Sequence, residues 1–212
     1  MRDMVKTVQK IGCQGLSMSN FVRQYSNAMP DDMCDTLVAW FDVVDKVGTL
    51  SPEVKTVKAD RLTRKDEQKW LTFEQHSDLY TRVQKCKYDM LHRYLEEFPF
   101  CYRGRKKLIS PDTKVQRTPP FGGGFHNWHA EVSHYENMDR CLVWSFYLND
   151  MELDEGETEF LYEKLRVRPR KGLGVMFPAG WTFQHRGNPV HSAEKFIITG
   201  WWHYPIEKGY YK

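Results

Sequence analysis

Two histidines and one glutamate have the types and spacing needed to bind a metal ion. His129 and Glu131 are two residues apart, so on a strand both side chains leave the same face. His185 lies further along the chain, where a neighbouring strand could bring it to the same point. Two imidazoles and one carboxylate can occupy three facing positions of an octahedral Fe(II) ion and leave three positions open. The sequence therefore predicts a metal site formed by His129, Glu131 and His185.

An ordered series of motifs follows Glu131. The series consists of the apolar run Arg140–Asn149 that ends in Tyr-Leu-Asn, then Gly156–Phe160, Pro169–Gly172 and Val175–Pro178, and finally Lys195, ten residues after His185. This order resembles that of the 2-oxoglutarate- and Fe(II)-dependent dioxygenases, specifically their prolyl 4-hydroxylase-like branch. The resemblance covers roughly residues 112–204, close to half of the chain. The complete ordered set is specific, whereas a single His-x-Glu occurs by chance in many proteins.

The resemblance implies two cofactors, Fe(II) and the cosubstrate 2-oxoglutarate. In the family, a lysine or arginine on the strand after the second histidine binds the far carboxylate of the cosubstrate, and Lys195 matches it. A buried carboxylate needs such a cation with hydrogen bonds, because burying one charge alone is costly. Tyr147 matches the family tyrosine that binds the same carboxylate. Thr199 follows Lys195 by four residues, and we expect it on the same face of that strand.

The activity implied by the resemblance is hydroxylation of a C–H bond with release of succinate and CO2. Peptidyl proline is the substrate that the resemblance suggests, while another protein side chain or a small molecule stays open, because a fold does not fix a substrate. No side chain is predicted to act as a catalytic acid or base. Two alternatives stay open as well: a cupin-type metal enzyme that does not use 2-oxoglutarate, and a non-catalytic jelly-roll binding module. The spacing of Lys195 argues against the first, and the complete set of three ligands together with Lys195 argues against the second.

The sequence departs from the family pattern at two positions. Glu131 stands where the family usually has aspartate, and its side chain is one methylene longer. His126 stands where the family often has a tyrosine, three residues before the first histidine ligand. The first change keeps the charge of the ligand set, and the second alters part of the predicted cosubstrate pocket.

Composition limits the remaining function classes. A net charge of +3 over 212 residues is too small to favour nucleic acid as a partner. No apolar run is long enough for a transmembrane helix, and the first 20 residues show no secretory signal. Five cysteines without a C-x-x-C pair favour free thiols in a reducing compartment. These features predict a cytoplasmic protein that does not act at a membrane.

Hydrophobic periodicity predicts helices in the first half of the chain and strands in the second. Apolar residues recur at helical steps from Asp31 to about Val47, with Gly48 as the stop, and from Asp78 to about Phe98, where Pro99 ends the helix. Residues 1–20 look like a flexible lead-in, and residues 51–71 read as a loop with a short strand. After Leu108 the runs are short, β-branched and punctuated by glycine and proline.

These elements predict a mainly β protein with flanking helices. We expect a single domain over residues 1–212, in which residues 1–107 form a mostly helical support and residues 108–212 form a β core that carries the metal site. The resemblance implies that this core is a double-stranded β-helix, the jelly-roll topology shared with cupins. Such a barrel has an open mouth in which a metal and a ligand of modest size can bind.

Overall fold

The computed structural model describes residues 20–44, 64–74, 76–99, 101–102 and 107–205. These residues contain two α-helices, α1 (Asp31–Val44) and α2 (Ser77–Glu97). The strands are β1 (Arg23–Tyr25), β2 (Arg64–Lys65), β3 (Glu67–Trp70), β4 (Lys114–Thr118), β5 (Gly124–Phe125), β6 (Arg140–Tyr147), β7 (Thr158–Phe160), β8 (Leu165–Val167), β9 (Gly174–Pro178), β10 (His185–Gly187) and β11 (Lys195–His203).

Both helices occur where the periodicity predicted them. Helix α1 begins at Asp31, and the carbonyl of Pro30 accepts hydrogen bonds from the amides of Met33 and Cys34. Its predicted end at Gly48 lies outside the described residues, as does the predicted lead-in up to residue 19. Helix α2 ends one residue before Phe98, since Pro99 cannot continue a helix.

The strands form three antiparallel sheets. The largest has the order β1-β9-β6-β11-β4-β3, and we call it the major sheet. A smaller sheet has the order β10-β7-β8, and β2 pairs with β5 in a two-stranded ribbon. Strand β11 is central in the major sheet because it pairs with β4 through residues 195–199 and with β6 through residues 197–203. Residues that point from β11 and its neighbours to one face therefore share a common environment.

Side chains of the major sheet alternate between two environments. The face turned towards α1 and α2, which we call the outer face, contributes large apolar residues to one core cluster. These residues are Val115, Leu142, Trp144, Phe146, Met176, Phe196, Ile198 and Trp202. The opposite face, which we call the inner face, is turned towards the smaller sheet and packs against Phe160 and Val167. The alternation follows from the two-residue period of a strand.

One glycine allows the outer core to close. Gly200 lies on β11 opposite Trp144, and a Cβ atom built there would lie 2.7 Å from the indole ring. The same atom would lie 2.3 Å from the carbonyl oxygen of Asp112. Glycine at this position therefore permits Trp144 to pack against the backbone of β11 without displacing it.

The N-terminal half supplies strands as well as helices. Strand β1 pairs with β9 at one edge of the major sheet, and β3 pairs with β4 at the other edge. The short strand expected within residues 51–71 is confirmed by β3, whereas β1 was not predicted. The division of the chain at residues 107 and 108 into a support and a β core stays a prediction. Among the described helices none is long and apolar enough to cross a membrane, and four cysteines there are free thiols.

Candidate metal centre

The two predicted histidine ligands face each other across a β-bridge. The amide of His129 donates to the carbonyl of His185 over 3.0 Å, and the amide of His185 donates back over 2.9 Å. His129 lies in an isolated bridge and Glu131 in a bend, so the extended strand expected around them is reduced to a single pair of residues. The expectation that His185 comes from a neighbouring strand is confirmed, because it begins β10.

The side chains of these three residues converge on one point. His129, Glu131 and His185 each offer a ligand atom, and these atoms lie within 4.8 Å of one another. The Oε1 atom of Glu131 is 3.6 Å from Nε2 of His185 and 3.8 Å from Nε2 of His129. Two imidazole nitrogens and one carboxylate oxygen at such separations suit a divalent ion of the first transition series. The donor set therefore fits Fe(II).

Backbone contacts orient both imidazoles for this task. The Nδ1 atom of His129 lies 2.9 Å from the carbonyl oxygen of Asn127, and Nδ1 of His185 lies 3.0 Å from that of Phe183. A carbonyl oxygen can only accept, so each Nδ1 donates the hydrogen bond, which leaves each Nε2 turned towards Glu131 and the metal position. Metal-binding histidines commonly use one nitrogen for such a contact, which fixes the tautomer and the ring orientation.

Two side chains hold the carboxylate of Glu131 in place. The indole Nε1 of Trp201 donates to its Oε2 over 2.9 Å, and Arg140 donates to the same oxygen over 3.4 Å. The Arg140 guanidinium in turn stacks 3.7 Å from the Trp201 ring centroid. Burial opposes ionisation of Glu131, but the facing His185 and His129 rings outweigh it and lower the pKa of the carboxyl group to about 2. Glu131 is therefore an anion with Oε1 turned to the metal position.

The three residues line a cavity of about 320 Å³ between the major sheet and the smaller sheet. Its wall carries four cationic and two anionic side chains besides the two histidines. These are Lys114, Arg140, Arg186 and Lys195, and Asp66 and Glu131. A cavity of this size can accept a small ligand, and the excess of cations favours an anionic one.

Lys195 opens β11 and is 6% exposed. Its Nζ donates to the carbonyl of Gly156, and it lies 5.4 Å from the ring centroid of Tyr147. Burial lowers the pKa of Lys195 to about 8, and the negative charges of Glu157 and Asp66 oppose this shift. The lysine is therefore a protonated, dehydrated cation at neutral pH, which suits it to bind a carboxylate.

Tyr147 and Thr199 also reach the cavity from the inner face of the major sheet. The hydroxyl of Tyr147 lies 2.6 Å from Thr158 Oγ1, and burial raises its pKa, so it remains a neutral hydrogen-bond donor. The hydroxyl of Thr199 donates to the carbonyl of Trp144 over 2.8 Å and contacts Ser145 Oγ at 2.7 Å. The structure thus brings all six predicted site residues to one cavity.

His126, at the position of the family tyrosine, does not line the cavity. Its two ring nitrogens lie 3.2 Å from the carbonyl oxygens of Gly187 and Gly122. His126 therefore braces the loop before the first ligand.

Sequence reasoning missed other residues of the cavity, among them Trp201, Arg140 and Lys114. Trp201 lies six residues after Lys195, and the two-residue period of β11 could have indicated that both share the inner face. Lys114, Gln116 and Thr118 alternate in the same way along β4. Arg140 carried no such signal, because its role depends on the packing of Glu131 against Trp201.

Comparison with known proteins supports this chemistry. The family model of the 2OG-Fe(II) oxygenase superfamily matches residues 113–203. A search of curated proteins found no match.

Solved prolyl hydroxylases share the fold. A viral collagen prolyl hydroxylase from Paramecium bursaria Chlorella virus-1, solved with 2-oxoglutarate, is 22% identical with a TM-score of 0.65, over 91% of this chain and 100% of that one. A Pseudomonas putida prolyl-4-hydroxylase is 22% identical with a TM-score of 0.65, over 89% and 95% of the two chains. A Trichoplax adhaerens prolyl hydroxylase, solved with a peptide fragment of hypoxia-inducible factor, is 15% identical with a TM-score of 0.67, over 87% and 84%.

These similarities confirm the predicted double-stranded β-helix, in which antiparallel sheets enclose the cavity and helices cover one of them. The family match, the ligand set and the cavity together identify the cofactors as Fe(II) and 2-oxoglutarate. Residues 113–203 thus match the 2OG-Fe(II) oxygenase superfamily, and the solved prolyl hydroxylases share the fold of the chain.

Proposed function

We propose that this protein hydroxylates a proline residue of a peptide or protein substrate, and that its cavity holds Fe(II) and 2-oxoglutarate through six named residues. His129, Glu131 and His185 bind the metal. Lys195, Tyr147 and Thr199 form the part of the wall that receives the cosubstrate. The convergence of one carboxylate oxygen and two oriented imidazole nitrogens within 4.8 Å carries this proposal.

The bound iron, with 2-oxoglutarate and dioxygen, supplies the oxidising chemistry that yields succinate, CO2 and a hydroxylated product. The protein contributes orientation and charge. Carbonyl oxygens of Asn127 and Phe183 keep the imidazoles in the ligating tautomer, and Trp201 keeps one oxygen of Glu131 turned away from the metal position. These contacts hold the ligand atoms together before the metal binds, which reduces the cost of ordering them.

The cosubstrate carboxylate far from the metal is received by Lys195. To do so, the Nζ atom gives up or shares its contact with the Gly156 carbonyl. Tyr147 lies beside it and donates from a hydroxyl that stays protonated. The charge of the lysine and the neutral phenol together replace the water that the carboxylate loses on binding.

A peptide is the substrate class that the mouth of the cavity favours. Ribbon β2–β5 borders the opening, because Gly124 and Phe125 line the cavity and pair with Lys65 and Arg64. Arg186 also lines the cavity, and its guanidinium stacks 4.5 Å from the Trp128 ring. An aromatic surface of this kind suits a proline ring, and the Trichoplax relative was solved with a peptide in complex.

The test supplies the purified protein with Fe(II), 2-oxoglutarate, dioxygen and a proline-containing peptide. We expect equal amounts of succinate and of peptide that has gained one oxygen atom, as measured by mass spectrometry. The same peptide with alanine in place of proline should give no oxidised product. His185→Ala should abolish turnover, because two remaining ligands cannot hold the metal in place.

His191→Ala is the matched control, since His191 is exposed and does not line the cavity. This variant should retain wild-type turnover. Full activity in His185→Ala would remove His185 from the ligand set. Oxidation of the alanine peptide at the wild-type rate would exclude proline as the reacting residue.

A further inference from the structure

A second buried lysine lines the cavity without a role in the function proposed above. Lys114 lies on β4 and is 8% exposed. Its Cα pairs with that of Thr199, which lies four residues beyond Lys195 on β11. Four residues of a strand span about 13 Å. The two lysines therefore project from the same inner face and are separated along the direction of the strands.

The surroundings of Lys114 connect it to the metal ligands. Its Nζ lies 4.7 Å from the ring centroid of Trp201, whose indole donates to Glu131. Lys114 is thus the cation at the metal end of the inner face, and Lys195 is the cation at the other end.

The charges of the cavity differ between these two ends. Near Lys195 the carboxylates of Asp66 and Glu157 already offset its charge. At the metal end, Lys114 lies over Trp201, and Arg140 donates to the carboxylate of Glu131, which also has to serve the metal. An anion bound at this end would be attracted by both cations. A ligand with carboxylates at both ends places one carboxylate near each lysine.

We propose that Lys114 is a second anchor for the cosubstrate and binds the carboxylate next to its 2-oxo group, while Lys195 binds the far carboxylate. This inference rests on the proposed function and deepens it. The cosubstrate is then held at both ends by an ammonium group. A 2-oxo acid of the same length that lacks the far carboxylate keeps the Lys114 contact and loses only the one with Lys195.

Two ligands and two variants separate these contacts. Fe(II)-loaded protein is titrated without oxygen with 2-oxoglutarate and with 2-oxopentanoate, and the metal-to-ligand charge-transfer band reports binding. Lys114→Met should weaken both ligands by at least about tenfold, as expected for loss of a charge-assisted hydrogen bond. Lys195→Met should weaken 2-oxoglutarate by a similar factor and leave 2-oxopentanoate unchanged.

Lys87→Met is the matched control for removal of a buried lysine. Lys87 is buried as well, but its Nζ donates to the carbonyl of Ser110 beside Trp144 on the outer face. This variant should lose stability without a change in either titration. Lys114→Gln provides a second neutral side chain at the cavity position if Lys114→Met does not fold.

Unchanged titrations in a folded Lys114 variant would overturn the proposal. If the variant raised only the Michaelis constant of an acidic peptide, Lys114 would bind the peptide and not the cosubstrate, and the proposal would be overturned as well. A loss confined to 2-oxoglutarate would assign Lys114 to the far carboxylate and overturn it as well. Absence of 2-oxopentanoate binding to the wild-type protein would also contradict it. Failure of the proposed function is distinguishable, because the wild-type protein would then give no band with 2-oxoglutarate.

Discussion

The outer and inner faces of the major sheet are built from the same strands but have different roles. On β11, Phe196, Ile198 and Trp202 point to the helices and are buried in an apolar core. Their neighbours Lys195, Ile197, Thr199 and Trp201 point to the cavity. One strand thus alternates between residues that stabilise the fold and residues that line the cavity. Changes at adjacent positions should therefore separate stability from binding.

The adjacent isoleucines of β11 provide the largest expected contrast. Ile198 is fully buried among apolar side chains, so Ile198→Ala should lower the free energy of unfolding by about 2–5 kcal/mol. Under conditions where the Ile198→Ala variant is folded, it should bind 2-oxoglutarate with the affinity of the wild type. Ile197 borders the cavity and is only partly buried. Urea denaturation should show a smaller loss for Ile197→Ala, and an equal loss in both variants would contradict the division between the faces.

The adjacent tryptophans sharpen the contrast at the metal. Trp201→Phe removes the donor to Oε2 of Glu131, and we expect a 10–100-fold loss of Fe(II) affinity, as is usual when a partner of a metal ligand is removed. Trp202→Phe is the control, because its indole nitrogen, on the outer face, has no hydrogen-bond partner among the residues that the structure describes. Anaerobic metal titration of the two variants measures the difference. A larger loss of iron affinity in Trp202→Phe would overturn the role given to Trp201.

The pH dependence of 2-oxoglutarate binding should report the titration of Lys195, which lies on the inner face. Burial lowers the pKa of Lys195 to about 8, against the opposing charges of Glu157 and Asp66, and only the protonated lysine binds a carboxylate well. Affinity for 2-oxoglutarate should therefore be constant below pH 8 and weaken by up to about tenfold per pH unit above it. Lys195→Arg should remove this dependence, because a guanidinium stays protonated. An identical pH profile in Lys195→Arg would assign the titration to another group.

Sequence patterns predicted the parts of this fold that depend on local periodicity. Both helices and the ordered motifs from Arg140 to Lys195 could be read because apolar spacing and turn residues are local signals. Strand β1 was missed because its three residues become a strand only through pairing with β9. The same limit applied to Lys114, whose approach to the metal ligands follows from the register of β4 against β11. The extended backbone expected at Glu131 was wrong, since a bend directs its carboxylate to Trp201.

We propose that the cavity holds Fe(II) through His129, Glu131 and His185, and 2-oxoglutarate through Lys195. Anaerobic titration of the Fe(II)–2-oxoglutarate charge-transfer band in the wild type and in Lys195→Ala tests this claim most directly. We expect a band in the wild type, a dissociation constant for 2-oxoglutarate that rises at least about tenfold in Lys195→Ala, and unchanged iron affinity. An unchanged titration in Lys195→Ala, or no band in the wild type, would contradict the account.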